Sequence, residues 1–318
     1  MLLNSINRVV SLTFSYVVLF IIIPYKKKGY VTCSGKTDGM GAQVLAIYSA
    51  MLYAKANKIK YCHTSLKSVE HNENNIEHFS NVIETYFSLA QGEQRIENLL
   101  PTYTVICLNH FTWKGFYNTL LYLFSKKTIF IFQRAHFHTY GNRNANQYLL
   151  IKDKIRTDFF TQPKLKINTP KNKLFIVVHI RRGDVSIHKN KDRYTGNNIV
   201  EAKLKSLILA LDTLNIAYEI CIVSQGDIAD FGNLSKIATL NINKSVFDDF
   251  ALMVQADILF TAKSALSYTA ALLSNGIIIY EPFYHKNLKN WVVYEADVFK
   301  QTKFITAINR YYLAKQLS

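Results

Sequence analysis

LFIVVHIRRGDVSIHK, Leu174 to Lys189, is the stretch on which the fold turns. A mostly apolar run leads straight into His179, Arg181, Arg182 and Asp184, with Gly183 between the last two. A short apolar run bounded by polar residues fits a strand buried in a sheet. In an open parallel sheet, ligands bind beyond the carboxyl ends of the strands. Strand 174–180 therefore delivers two arginines and a histidine to that edge. Three readings compete: a phosphate site, an adhesive Arg-Gly-Asp tripeptide, and a solvated strand end. Arginine presents a planar fork that pairs two phosphate oxygens and stays charged near neutral pH. Asp184 is spaced to orient one guanidinium while the other faces a ligand. The tripeptide lies too close to a buried strand to serve adhesion.

Outward from this stretch the chain alternates. After strand 174–180 come a long polar loop, a helix at 198–213 and a strand at 218–223. A Ser-Gln-Gly-Asp turn follows, then strand 238–242, a helix from 247, strand 257–261, a helix at 265–274 and strand 277–280. Strands alternating with helices imply a parallel sheet with right-handed crossovers. The earlier half reads similarly. Strand 30–34, the turn KTDGMGAQ, helix 43–56 and strand 59–63 precede a polar loop over 64–78. Helices are expected at 80–89, 113–124 and 148–160, and strands at 104–108 and 128–132. Residues 136–147 read as a loop. The basic, proline-bearing segment TQPKLKINTPKNK, 161–173, reads as a linker. The expected division is a hydrophobic segment at 1–28, an α/β domain at 29–165 and a second at 166–318.

Composition narrows the classes. The chain has 318 residues, 49% hydrophobic and 13% aromatic, enough for sizeable cores and incompatible with global disorder. Lys+Arg 38 against Asp+Glu 22 gives +16, which favours a polyanionic partner: nucleic acid, anionic lipid or a phosphorylated ligand. Cys33, Cys62, Cys107 and Cys221 form no Cys-x-x-Cys pair and read as buried free thiols, neither a zinc site nor a disulfide framework. Residues 9–23, VVSLTFSYVVLFIII, are uncharged and end at Pro24, followed by Lys26, Lys27 and Lys28. The run is short for a transmembrane helix and has no cleavage site after it. It is expected to insert in a membrane, the alternative being a buried element of the fold. Lysines after the segment place the remainder on the cytoplasmic side of a bacterial-type inner membrane, with a Golgi-type anchor as the alternative. The positive charge favours an anionic leaflet.

HIRRGD resembles the His-x-Arg-Arg-x-Asp motif of the GDP-fucose-dependent fucosyltransferases, the superfamily of α1,2-, α1,6- and protein O-fucosyltransferases. The resemblance implies that Arg181 binds the diphosphate of GDP-fucose and that His179 lies near the nucleoside, with Arg182 and Asp184 in support. A second block, VFDDFALMVQADILFTAKSALSYTAALL over 246–273, resembles the family's later motif. It implies that Asp248 reads guanine, with Asp249 as a rival, and that Ser264, with Ser267 one turn on, meets a phosphate at a helix N-terminus. Asp257 reads as a strand-start residue. A third element, DGMGAQ over 38–43, is similar to the family's Gly-Gly-x-Gly-Asn-Gln, with Asp38 and Ala42 in place of Gly and Asn. It implies close approach of a sugar or phosphate at Gly39 and Gly41.

The fold implied is α/β of GT-B type, two facing Rossmann-like domains with a central cleft. The activity implied is an inverting hexosyl transfer, L-fucose passing from GDP-β-L-fucose to a glycan hydroxyl, α1,2-like, in surface polysaccharide or glycoconjugate synthesis. For the general base, His63 and Asp38 compete, and a hydrogen-bonded structural histidine is an equal reading of His63. His71, Asn72, Glu73 and His78 read as a polar loop before a metal cluster. His136 and His138, with Arg134 and Arg143, read as a solvated loop before acceptor contacts. Ser224 and Asp227 read equally as pocket lining or a plain turn. No Asp-x-Asp occurs, so no metal or other cofactor is expected. The expected partners are GDP-fucose, a glycan acceptor and an anionic membrane surface, and no nucleic acid. A transferase for another nucleotide sugar, and a basic membrane-associated nucleic-acid binder, are the alternatives.

Overall fold

A computed structural model describes residues 13, 14, 16–72, 77–108, 119, 120, 122, 127–132, 139–164, 166, 171–295 and 298–317. The chain divides into two compact units, Met1–Gln162 and Pro163–Ser318. Each is an α/β unit built on a wholly parallel sheet.

Among the described residues, unit 1 carries strands β1 (Tyr30–Cys33), β2 (Lys60–His63), β3 (Gln94–Arg95), β4 (Thr104–Cys107) and β5 (Thr128–Phe132). They lie in the order β3-β2-β1-β5-β4, every pair parallel. Helix α1 (Met40–Ala56) crosses from β1 to β2 and is apolar on nearly every side, as a helix enclosed on all faces must be. Tyr48, Tyr53 and Leu45 are among its fully buried side chains. Helix α2 (Phe79–Phe87) buries Phe79, Ile83 and Phe87 at helical spacing. The expected helix at 148–160 is regular only from Lys152 to Phe160, because Ala145–Leu150 winds as a tighter 3₁₀ turn. The expected helix at 113–124 lies almost wholly outside the described residues.

The N-terminal hydrophobic run is partly described. Val18–Ile22 and Ile23–Lys26 are helical, and Val18, Leu19 and Ile23 are buried. Tyr53 donates from its hydroxyl to the Leu19 carbonyl, fastening the segment to α1. Among the described residues no helix is long and apolar enough to cross a membrane. Residues 9–12 and 15 of the expected anchor lie outside the described residues, and the described part gives one face to the protein. Of the four cysteines, Cys33, Cys62 and Cys221 are buried as expected, and burial pushes the first two thiols up to about 12. Cys107 is exposed, because β4 lies at the sheet edge.

Unit 2 carries β6 (Lys173–His179), α3 (Asn197–Thr213), β7 (Ala217–Ser224), β8 (Thr239–Ile242), α4 (Val246–Gln255), β9 (Ile258–Phe260), α5 (Ala265–Leu273), β10 (Ile277–Tyr280), β11 (Val292–Val293) and α6 (Thr302–Leu317). The strand order is β11-β10-β9-β6-β7-β8, all parallel. Counted from the unit's own first strand this is 6-5-4-1-2-3, the dinucleotide-binding order, whose direction reverses between β6 and β9. Leu174, Ile176 and Val178 of β6 meet Leu204, Leu207 and Leu211 of α3 in the core. Asp257, just before β9, accepts from the Phe175 backbone N–H at 2.7 Å and the Tyr311 hydroxyl at 3.0 Å, and pairs with Lys315. It fastens α6 to the sheet's amino edge, the edge away from the arginines.

Candidate functional site

β6 ends at His179, and the chain turns over the sheet's carboxyl edge at the point where strand order reverses. The Arg181 side chain lies there, between the exits of β6 and β9. Its Nε donates to Asp184 Oδ1 at 3.0 Å and its Nη2 lies 2.8 Å from the same oxygen. Its Nη1 donates to Ser264 Oγ at 3.3 Å. Ser264 is the N-cap of α5 and accepts from the Leu266 N–H at 3.2 Å. The guanidinium is thus fixed beside the positive end of a helix dipole, a place suited to an anion.

Arg182 has a different task. It donates to the carbonyls of Arg181 (2.8 Å) and Thr195 (3.0 Å) and to Asn197 Oδ1 (2.6 Å), and its guanidinium sits 4.4 Å from the Tyr194 ring centroid. It ties the loop over 183–196 back to the strand. Gly183 is required by this turn: its φ is +75°, and a Cβ there would meet Gln225 Oε1 at 2.4 Å. The Asp184 carbonyl accepts from Asn190 Nδ2 at 2.9 Å, which closes the loop.

His179 lines the same cavity as Arg181, of about 30 Å³, together with Thr195, Lys203, Thr261, Glu281 and Tyr294. Burial, reinforced by the Arg181 charge, pushes its imidazole down to about 3, so the ring is neutral at physiological pH. Its Nδ1 is buried and has no hydrogen-bond partner among the described residues. An unpartnered buried nitrogen costs free energy, and a ligand group reaching it would recover that cost.

The remaining predicted residues separate into two groups. Ser267 is fully buried and accepts from the Ala262 N–H at 3.1 Å, shaping the turn that presents Ser264. Asp248 is exposed in the first turn of α4, whose N-cap is Ser245. Its neighbour Asp249 is half-buried and accepts from Asn241 Nδ2 at 2.6 Å. Burial raises the Asp249 carboxyl to about 7, against the Asn241 hydrogen bond and with a further push from Asp248. Ser224 donates to the Ile180 carbonyl at 2.7 Å, and Asp227 caps a 3₁₀ helix at Ile228–Lys236. Ser224 ends β7 and Asp227 belongs to the turn that follows it.

In unit 1, His63 has no exposed surface, and both ring nitrogens are engaged: Nδ1 with the Tyr61 hydroxyl at 3.1 Å and Nε2 with Glu84 at 2.7 Å. These contacts tie the end of β2 to α2 and leave the ring enclosed within unit 1. Asp38 is 54% exposed and pairs with Lys36. Gly39 caps α1 with an ordinary φ of −59°, and Gly41 is buried within the helix. The turn is held by Gln43, whose Nε2 donates to the carbonyls of Asp38 at 2.7 Å and Ser68 at 2.8 Å. His71 and His78 take left-handed backbone conformations, and His78 pairs with Glu77 at 3.2 Å. Glu73, Arg134, His136 and His138 lie outside the described residues.

No known protein family matches the sequence, and no curated protein matches it. Solved structures do. POFUT1 in complex with GDP is 11% identical over 80% of this chain and 98% of its own, at a TM-score of 0.40. The E. coli heptosyltransferase WaaC with ADP-2-deoxy-2-fluoro heptose is 15% identical, covering 90% and 99%, at 0.39. A mutant of Arabidopsis thaliana FUT1 in complex with GDP is 10% identical, covering 82% and 71%, at 0.36. The topology described above stands on the chain's own strand order.

Sequence reasoning missed Lys203 and Glu281. Lys203 comes from α3, is almost wholly buried, pairs with Glu281, and holds its ammonium 4.2 Å from the Tyr294 ring centroid. Glu281 directly follows β10, and its backbone N–H donates to Thr261 Oγ1 at 2.9 Å. A buried ion pair is weak evidence of stability, since desolvation offsets most of its attraction. Placed on the wall of the Arg181 cavity, it puts a second cation beside the first. The signal was in IIIYEP: an acidic residue at a strand exit, on the edge that already held the arginines.

Proposed function

We propose that the chain is an inverting glycosyltransferase that moves L-fucose from GDP-β-L-fucose to a hydroxyl of a glycan acceptor. The observation that carries this reading is Arg181, fixed by Asp184 and Ser264 at the reversal point of the unit 2 sheet. The acceptor oxygen attacks the anomeric carbon from the face opposite GDP and forms the α-fucoside. The bond from carbon to diphosphate oxygen breaks, and its electron pair leaves with GDP. Arg181 and the N-terminus of α5 stabilise that growing charge, and Lys203 adds a cation nearby. A carboxylate on α4, Asp248 or Asp249, accepts the paired donors of guanine. Asp38 is the candidate for the acceptor's proton, being the solvent-reaching member of the pair first considered. The His-x-Arg-Arg-x-Asp resemblance is what selects fucose; an α1,2-like linkage in surface polysaccharide or glycoconjugate synthesis belongs to the same reading.

A panel of GDP-, UDP- and ADP-sugars offered with mixed glycan acceptors tests it, followed by linkage analysis of any product. Transfer from GDP-fucose alone is the expected result. Transfer confined to a UDP- or ADP-sugar would overturn the guanine and fucose assignments while leaving the diphosphate site. Failure to bind any nucleoside diphosphate, with salt-sensitive binding of nucleic acid instead, would overturn the enzyme reading.

A further inference from the structure

The N-terminal helical segment presents two unlike faces. Val18, Leu19 and Ile23 pack into unit 1, so the segment is held in place by the fold. On the outer side Ile21 is 58% exposed and Tyr25 81% exposed, and four residues apart on a helix they share a face. Tyr16, also exposed, stacks on Phe20 with centroids 4.7 Å apart. The Arg143 guanidinium stands 5.3 Å from the Tyr16 ring and 5.1 Å from that of Phe20. The helix ends at Lys26, and Lys27 and Lys28 follow, both exposed, with Lys27 in the left-handed region that stops the helix. An isoleucine and a tyrosine in water, beside a run of three lysines, combine insertion of apolar side chains with attraction to negative charge. The whole chain carries +16, so its long-range field acts in the same direction.

We propose that this segment docks the protein on an anionic lipid bilayer, lying along the surface. Tyr25 and Ile21 enter the headgroup–acyl boundary, and Lys26, Lys27 and Lys28 meet lipid phosphates. The charge complementarity selects a bilayer over an apolar protein groove, which would leave the lysines without a partner. The proposal is independent of the donor sugar, because every residue it uses lies outside unit 2.

The test uses the full chain with vesicles of phosphatidylcholine and phosphatidylglycerol, against vesicles of phosphatidylcholine alone. Co-sedimentation with the anionic vesicles, weakening as salt is raised, is expected. Lys27→Glu with Lys28→Glu lowers the partition coefficient roughly tenfold or more, and Ile21→Ser with Tyr25→Ser lowers it comparably. Tyr25→Trp shifts its emission to the blue with anionic vesicles only. These side chains are exposed, so unchanged melting temperatures and unchanged GDP binding would separate lost docking from lost fold or lost donor site. Equal binding to both vesicle types would overturn the proposal, as would variants that bind like the parent. A concentration-dependent dimer that Tyr25→Ser disperses, without vesicle binding, would assign the surface to a second copy and overturn it too.

Discussion

Two histidines end parallel strands, His63 on β2 of unit 1 and His179 on β6 of unit 2. Both follow apolar residues into the carboxyl edge of a sheet. His63 is enclosed, and its nitrogens are engaged by Tyr61 and by Glu84, whose other oxygen accepts the Leu66 N–H at 2.8 Å. It joins β2 to α2, and Glu84 in turn holds the loop at Leu66. His179 is held neutral by burial and by Arg181, and its Nδ1 has no hydrogen-bond partner among the described residues. Strand position alone does not separate these residues; the completeness of their hydrogen bonding does. The turns after β1 and β6 differ the same way. In unit 2 an arginine is fixed by two side chains beside a helix N-terminus, whereas in unit 1 a glutamine clamps two carbonyls and the aspartate faces solvent.

The largest effect should come from the residue that defines the unit 2 side. Arg181→Ala is expected to lower kcat/KM for donor transfer by roughly 100- to 1,000-fold, the usual cost of losing a donor aimed at developing charge. Arg181→Lys should not restore it, because a lysine cannot hold Asp184 and Ser264 at once in the fork geometry. Normal transfer by Arg181→Ala would erase the contrast between the two turns. GDP titration calorimetry on the same variants separates lost binding from lost chemistry.

His63→Ala should break the other side of the comparison by a different route. It leaves Glu84 nearly buried without its partner, and unfolding free energy should fall by about 3 kcal/mol. Urea denaturation reads this directly. Transfer per folded molecule should stay close to the parent's, and His63→Leu combined with Glu84→Met should recover most of the stability. A folded His63→Ala protein with transfer reduced a hundredfold would return His63 to the role of general base.

The unit 2 pattern was legible because its strands are continuous apolar runs separated by capped helices. Ser245 and Ser264 mark both helix starts, and the expected strand at 174–180 lies within one residue of β6. Strand order was not legible, since nothing local states which neighbour β6 takes; it takes β9, far along the chain. The same distance hid Lys203 and Glu281, on elements that meet only through the crossover of the sheet. Helix α6 escaped notice because its polar, weakly patterned surface is tied down by Asp257 from outside the segment. Tyr61, Glu84 and the fate of His63 escaped for a related reason. His63 takes Tyr61 from its own strand but Glu84 from α2, and spacing along β2 cannot show the second.

A smaller effect should come from His179. Removing a group with an orphaned nitrogen should cost little stability, while His179→Ala weakens GDP binding roughly tenfold through one lost ligand hydrogen bond. Its titration gives a second readout. The folded ring resists protonation down to about 3, whereas an unfolded histidine protonates near 6.5. The unfolded chain therefore binds more protons across that window, and stability falls as pH drops through it. His179→Ala should remove this acid-side loss of about one proton, seen as a flatter stability profile between pH 6 and pH 4.

The finest test concerns which α4 carboxylate reads the base. Asp249 is raised to about 7 in the folded chain from an ordinary 3.8, chiefly by burial. The folded state therefore binds the proton more tightly, and the stability linked to it is present below 3.8 and is lost as pH rises through about 7. Guanine offers two donors, so it needs a carboxylate in ionised form to accept them. If Asp249 is the reader, GDP affinity rises severalfold between pH 6 and pH 8 as the group ionises, and Asp249→Asn abolishes both the rise and the preference for GDP over ADP. If Asp248 is the reader, Asp249→Asn leaves the pH profile and the base preference unchanged, and Asp248→Asn removes the preference. In that case the half-buried carboxylate does for α4 what Glu84 does for β2: it fixes a neighbour, here Asn241, and leaves recognition to the exposed residue beside it.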